Sequence, residues 1–247
     1  MTSTDHRALQ TLTVADALDY PFEPPRASFV VEAEGAMRPV AVSAGPEVRK
    51  NNPALAVLEL DDPVCLLTCG SNASPRRLAG KLARAPVGRA LAVRTRCSGW
   101  TPVYAATVSY YGAIPATFAA GLGHAEPFQV MIDRHDLDAF VESETRTGNY
   151  DLRRLSEEEA ARAGLFLDVP VHVFMSRFAP LMLDGHPAPL VEFSCAGAGG
   201  FSQAQVLGRM LARFAAGMTP RAYVAQALAD PELIDTFRDF VRANPAA

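Results

Sequence analysis

The 247-residue sequence predicts an α+β fold: a small mixed, mostly antiparallel β-sheet or barrel with flanking helices. Three features carry this expectation. Between Ala90 and Asp133, short apolar runs rich in β-branched and aromatic residues are separated by Gly, Pro and Ser signals, the mark of successive strands. A compact apolar run, Val64 to Thr68, leads through a polar knot into Ser74-Pro75, an N-cap followed by proline at the first helical position. From Ser202 onward apolar residues recur at helical spacing and close the chain.

Taken in order, Asp5 to Leu18 reads as a short helix ending before the cluster Pro21, Pro24 and Pro25. Phe29 to Glu32 and Pro39 to Val42 read as edge strands. Asn51-Asn52-Pro53 is a turn, and Ala54 to Leu60 fits a strand or a helical turn. After the Val64 to Thr68 strand, Arg76 to Ala85 forms a helix that Pro86 and Gly88 end. Four strand runs follow: ALAVRTRC from Ala90, PVYAATVSYY from Pro102, PATFAA from Pro115 and PFQVMID from Pro127. Asp136 to Glu144 is helical and stops at Gly148-Asn149. Ser156 and Glu159 have the spacing of a capping box on a short helix to Ala163. Val169 to Phe174 and Ala188 to Phe193 are further strands, and Ser202 to Phe214 and Pro220 to Val241 are mainly helical.

Composition narrows the functional classes. Nearly half of the residues are apolar (49%) and 20% are charged, ordinary values for a globular chain. A net charge of −4 argues against wholesale nucleic-acid binding. No apolar run approaches the roughly 18 residues of a membrane span, and the first residues lack a secretory pattern. Cys65, Cys69, Cys97 and Cys195 have neither zinc-like nor redox-like spacing, so no metal or cofactor is expected, and reduced thiols suit a cytoplasmic location. Between Asp62 and Glu126 there is no acidic residue, while Arg76, Arg77, Lys81, Arg84, Arg89, Arg94 and Arg96 crowd the same stretch. That pattern fits a solvated basic face, or a positive field around an anionic small molecule.

Two places have the makings of a site. The strand-to-helix loop Cys69-Gly70-Ser71-Asn72 would gather unpaired backbone N–H groups and two short polar side chains, suited to carboxylate or phosphate oxygens. Gly70 would permit close approach or a positive φ. The plain alternative is an Asx-type turn joining two elements. The second place is LDAFVESETRTGNY, from Leu137 to Tyr150. At about 100° per residue, Phe140, Val141 and Glu144 share the face of Leu137, whereas Glu142 points elsewhere. A carboxylate at the end of an apolar stripe is partly desolvated, which suits a general base, unless the helix frays before Glu144.

These two motifs in this order resemble the gamma-glutamylcyclotransferase-like (AIG2-like) family. The first stands here as Cys69-Gly70-Ser71-Asn72-Ala73-Ser74-Pro75, the second as Leu137-Asp138 with Glu144 and Tyr150 downstream. The resemblance covers roughly residues 63 to 193, leaving 1–62 as an N-terminal extension and 194–247 as a C-terminal helical extension. It implies a small barrel, with Val103 to Thr117 and Phe128 to Ile132 among its central strands. It also implies a substrate with a γ-glutamyl-like anionic group, held by Cys69, Gly70, Ser71, Asn72 and Tyr150. Glu144 would be the acid–base residue in an intramolecular amine attack that releases 5-oxoproline. Cys69 stands where the family usually has an aromatic residue, and no Glu-Gly pair follows the helix. Transposition of Glu142 and Glu144 is therefore open.

Other readings compete. Cys69 or Ser71 could be a nucleophile with His124, His135 or His172 as base, and His135 beside Asp133 and Asp136 could suggest a metal. The stretch Cys195 to Ser202 lacks both the P-loop lysine and the dinucleotide-loop glycine pattern, so it reads as a loop with Ser202 as N-cap. A non-catalytic binding or scaffolding protein of the same fold is the main alternative to an enzyme.

Overall fold

The computed structural model describes residues 13–41, 58, 60–165, 169–195 and 199–246. Within these, a seven-stranded sheet has the order β2-β1-β4-β7-β3-β9-β8. The strands are β1 (Phe29–Glu32), β2 (Met37–Pro39), β3 (Pro63–Thr68), β4 (Arg89–Arg94), β7 (Phe128–Asp133), β8 (Tyr150–Arg154) and β9 (Val171–Ser176). All neighbours are antiparallel except β3 and β9, which run parallel with Cys65 opposite Val171.

Burial follows directly from the strand sequences. The central strand β3, PVCLLT, is apolar at every inward position because both its faces are covered. Val64 and Leu66 join one hydrophobic cluster; Cys65 and Leu67 join another on the opposite face. β7 alternates in the same way, with Val130 opposite Leu66 and Met131 opposite Cys65. The edge strand β8, YDLRR, is amphipathic: Tyr150 and Leu152 pack inward, while Asp151, Arg153 and Arg154 are exposed. Charged side chains on an edge discourage pairing with another chain.

The mostly antiparallel sheet with flanking helices matches the sequence expectation, but barrel closure does not occur among the described residues. β2 and β8 are the ends of an open sheet. Two strands expected in the central barrel instead form a separate hairpin, β5 (Cys97–Tyr104) with β6 (Ala116–Ala125). The run expected as a strand from Pro102 leaves the ladder after Tyr104 and becomes a buried loop over residues 105–115. Thr107 N donates to Ala105 O and Ser109 N to Ala113 O, turns that satisfy the backbone where no strand is alongside. β6 runs on past its expected end at Ala120, and its glycines Gly121 and Gly123 adopt positive φ.

Other elements refine the expectations. Helix α1 is described over Val14–Leu18; the earlier part of the expected helix, Val42, and most of Ala54 to Leu60 lie outside the described residues. Helix α2 (Pro75–Leu82) starts with Pro75 at N1, although Ser74 makes no side-chain cap bond. Helix α3 spans Leu137–Thr145, and α4 spans Glu157–Arg162 behind the Ser156–Glu159 capping box. Ala188 to Phe193, expected as a strand, makes only isolated bridges and a 3-10 turn. The short strands β10 (Met182–Leu183) and β11 (His186–Pro187) form a second small hairpin. Ser202 caps α5 (Gln203–Phe214) through a capping box with Gln205. The expected helix from Pro220 to Val241 divides into α6 (Pro220–Ala229) and α7 (Pro231–Ala243), because Asp230 caps the second and Pro231 cannot donate to the first.

The C-terminal helices meet around Phe214, Tyr223 and Phe237, with ring centroids 5.1 Å apart for Phe214–Phe237 and 4.7 Å for Tyr223–Phe237. They pack on the 105–115 loop: Arg238 Nε donates to Val108 O at 2.8 Å and Arg242 Nε to Thr107 Oγ1 at 3.1 Å. A single cluster runs from Ala17 and Tyr20 through the sheet to Phe237 and Val241, so the terminal extensions share the central core.

Asp133 pins the sheet to the helix that carries Glu144. Its buried carboxylate accepts from His135 N, Asp61 N and Asp62 N at 3.0, 3.0 and 3.2 Å. Burial raises its pKa, but these donors outweigh it, so the carboxyl lies below its ordinary 3.8. The folded state holds the proton more weakly than the unfolded chain. The stabilisation is therefore fully present above about pH 3.8 and disappears as pH falls through the lower folded value. Asp133→Ala is expected to cost about 1–3 kcal/mol at pH 7 by stranding backbone donors. Denaturant melts should show that difference shrinking toward pH 3; a gap constant from pH 7 to 3 would refute the assignment.

Candidate functional site

Where β3 ends, the chain makes a tight reversal into α2. Cys69 is extended, Gly70 has φ +64°, and Gly70–Ala73 form one 3-10 turn before Ser74 and Pro75 start the helix. Thr68 Oγ1 donates to Asn72 O at 3.4 Å, which ties the turn to the strand. Gly70 is needed for two reasons. Its conformation is left-handed, and a methyl group there would stand 2.2 Å from Tyr20 Oη.

Helix α3 brings Glu144 across to this turn. It extends to Thr145 and does not fray earlier, since the apolar face containing Leu137, Phe140 and Val141 packs on the core. Asn72 Nδ2 donates to Glu144 Oε1 at 3.0 Å, a contact between residues 72 positions apart. Lys81, in the last turn of α2, completes a triangle: its ammonium donates to both Glu144 Oε1 and Asn72 Oδ1. The Lys81 and Glu144 side chains are 13% and 14% exposed, so the pair is largely withdrawn from solvent. Glu142 also lines the cavity but is more exposed, and it is Glu144 whose carboxylate meets Asn72 and Lys81.

Around the triangle lies a cavity of about 620 Å³. Cys69, Ser71, Asn72, Glu144 and Tyr150 all line it; Gly70 stands behind the turn, against Tyr20. Tyr150 Oη donates to Ala116 O and Ala116 N donates to Tyr20 Oη, each at 2.7 Å, so two phenols hold the start of β6. Burial pushes both phenols well above the ordinary tyrosine value; for Tyr150 the Glu144 charge adds to it. Both remain protonated at neutral pH, Tyr150 as the donor to Ala116 O and Tyr20 as the acceptor from Ala116 N.

Sequence reasoning did not assign several of these residues to the site. Tyr20 and Phe22 come from the N-terminal extension, and Tyr110 and Tyr111 from the buried 105–115 loop. Tyr20 thus supplies aromatic surface beside Cys69, the position where the resembled motif has its ring. Lys81 lay within the acid-free basic stretch, and its spacing from Arg77 was the available signal. Arg76, Arg77, Lys81 and Arg84 all line the cavity, whereas Arg94 is tied to Glu126 and to the carbonyls of Pro25 and Glu192.

The alternative sites fare differently. Burial, then the Glu144 charge, pushes the Cys69 thiol far up, and its Sγ donates to Thr117 O, so no thiolate is available. His124 pairs with Ser98 in the exposed part of the β5–β6 hairpin. Burial and then the charges of Arg154 and Arg134 lower the pKa of His172. His135 lies at the cavity edge, with its backbone N–H on Asp133. Among the described residues, no group of three or more His, Cys, Asp or Glu is arranged to hold a metal ion, and no helix is long and apolar enough to cross a membrane. The four cysteines are free thiols. In the Cys195 to Ser202 stretch, residues 196–198 lie outside the described residues, and Ser202 serves as the N-cap of α5.

No family model matches the chain, and no significant match is found among curated proteins or solved structures.

Proposed function

We propose that this chain is a gamma-glutamylcyclotransferase-like enzyme that releases 5-oxoproline from a γ-glutamyl amine. One observation carries the reading: Glu144 and Asn72 meet in a single cavity, joined by a 3.0 Å hydrogen bond. The glutamyl α-carboxylate would lie against the 69–72 turn, and its α-ammonium would replace the Lys81 ammonium as the partner of Glu144. Glu144 then takes one proton from that ammonium. The freed amine nitrogen bonds to the γ-carbonyl carbon and forms a tetrahedral oxyanion. Collapse breaks the bond to the departing amine, which takes the proton from Glu144. The carboxylate so restored takes the second proton from the ring nitrogen, leaving the neutral lactam, and passes it to the amine, which leaves as an ammonium ion. Folding the glutamyl chain into a five-membered ring supplies a large proximity advantage, so no covalent enzyme intermediate is required.

The Lys81 ion pair specifically favours a second reading, a non-catalytic binder of an amino-acid-like ligand. A base already paired with an ammonium has to be released before it can accept a proton. Incubation with a panel of γ-glutamyl amines separates the two. Accumulation of 5-oxoproline supports the enzyme; measurable binding of panel members without any release supports the binder.

A further inference from the structure

Ring closure moves a negative charge. It starts on Glu144, vanishes when that carboxylate takes a proton from the α-ammonium, and reappears on the γ-oxygen as the tetrahedral intermediate forms. The two positions are close together. The γ-oxygen is two bonds from the attacking nitrogen once the new C–N bond exists, and that nitrogen has just passed its proton to Glu144. Inside a cavity withdrawn from solvent, such a charge is stabilised most by a cation that already stands beside both positions and needs little reorganisation to follow it.

Lys81 occupies that place. It lines the cavity together with Asn72 and Glu144, and the Lys81 and Glu144 side chains are largely withdrawn from solvent. Its ammonium donates to Glu144 Oε1 and to Asn72 Oδ1, and it lies 5.6 Å from the ring centroid of buried Phe140. Asn72 is itself buried and donates to Glu144 Oε1, so its carbonyl oxygen is a second foothold for the ammonium when a substrate takes over Glu144. A lysine ammonium is a compact cation with three rotatable donors on a flexible stem. One donor can stay on Asn72 while the donor released from Glu144 turns to a neighbouring oxygen. Two arginines of the same helix are placed differently. Arg76 is exposed and pairs with Asp16, and the Arg77 guanidinium lies over the Phe22 ring, 4.1 Å from its centroid.

We propose that Lys81 is a catalytic residue: displaced from Glu144 by the substrate α-ammonium, it donates a hydrogen bond to the γ-carbonyl oxygen and stabilises the tetrahedral oxyanion. This rests on the cyclotransferase reading. The ammonium keeps its three protons throughout. As the C–N bond forms, the π pair of the carbonyl moves onto the γ-oxygen under Lys81, and it returns to the carbon as the departing amine leaves. After product release, Lys81 pairs again with the Glu144 carboxylate. Lys81 thus competes with the substrate ammonium in the ground state and assists in the transition state, so its removal acts on KM and kcat in a characteristic way.

The test uses the full chain, the γ-glutamyl amine of the panel that the wild type turns over fastest, and its analogue with sulfur, a weaker acceptor, in place of the γ-carbonyl oxygen. Lys81→Met should lower kcat for the oxygen substrate by about 10²- to 10³-fold, the usual cost of removing one oxyanion donor, while KM stays the same or falls. The ratio of oxygen-substrate to sulfur-substrate rates should shrink by about tenfold or more, since the hydrogen bond that favours oxygen is gone. Lys81→Gln keeps N–H donors toward Glu144 and Asn72. It should show the same two changes to a smaller extent, and it carries the test if Lys81→Met does not fold. Unchanged kcat in the variants, or a raised KM with kcat kept, overturns the role and leaves Lys81 as a counter-ion or a ground-state anchor. A fall in kcat that leaves the oxygen-to-sulfur ratio intact also overturns it, as a structural effect. If the wild type releases no 5-oxoproline from any amide, the cyclotransferase reading falls and this role with it; release that is indifferent to Lys81 ends the role alone.

Discussion

Glu144→Gln is expected to lower kcat for 5-oxoproline release by about 10²- to 10⁴-fold, the usual weight of a positioned general base. The substitution is nearly isosteric. A glutamine oxygen at the same place can still accept from Asn72 Nδ2 and from the Lys81 ammonium. What it lacks is the ability to take up and return a proton. Because the packing of α3 on the core through Phe140 is untouched, Tm should move by only a few degrees. Single-turnover release of 5-oxoproline, measured alongside a thermal melt, checks both halves. Undiminished release would remove Glu144 from the chemistry; loss of release together with loss of the folded transition would show a structural role instead.

Gly70→Ala should have the largest effect on stability for the fewest atoms added. The left-handed backbone costs a non-glycine residue about 1–2 kcal/mol. The new methyl group would also sit 2.2 Å from Tyr20 Oη and 3.2 Å from Ala116 Cβ. Tyr20 cannot swing aside freely, since it is 5% exposed and its oxygen accepts the Ala116 N–H. Overpacking of this kind adds about 1–3 kcal/mol. The total of about 2–5 kcal/mol corresponds to a Tm drop of roughly 5–15 °C for a chain of this size. Tyr20→Phe removes the clashing oxygen but strands the Ala116 donor. The double variant should therefore be more stable than the sum of the two single effects, a coupling that a thermodynamic cycle measures directly. Strict additivity would mean that the methyl group never meets the phenol.

Much of this architecture was legible because local chemistry fixes it. Pro75 at a helix start, Ser156 with Glu159, and Ser202 before Gln205 each announce an element from a few adjacent residues. Spacing along α3 alone placed Glu144 on the apolar face and Glu142 off it, and the structure keeps that distinction. The errors came where long-range pairing decides. PVYAATVSYY has strand composition throughout, yet it leaves the ladder at Tyr104 because the C-terminal helices, through Arg238 and Arg242, claim the backbone and side chains beyond it. Barrel closure failed for the same reason: an apolar run shows that a strand is buried but does not name its neighbour.

The sequence by itself determined the α+β class, the strand–turn–helix unit around Gly70 and the inward face of α3, since each depends on dihedral preference or periodicity within one segment. Only the tertiary structure decided that Asn72, Lys81 and Glu144 converge, and that Tyr20 and Phe22 reach the cavity from the N-terminal extension. These are meetings between distant segments. They are set by how two covered faces of one sheet stack, a property of the whole chain that no short window carries.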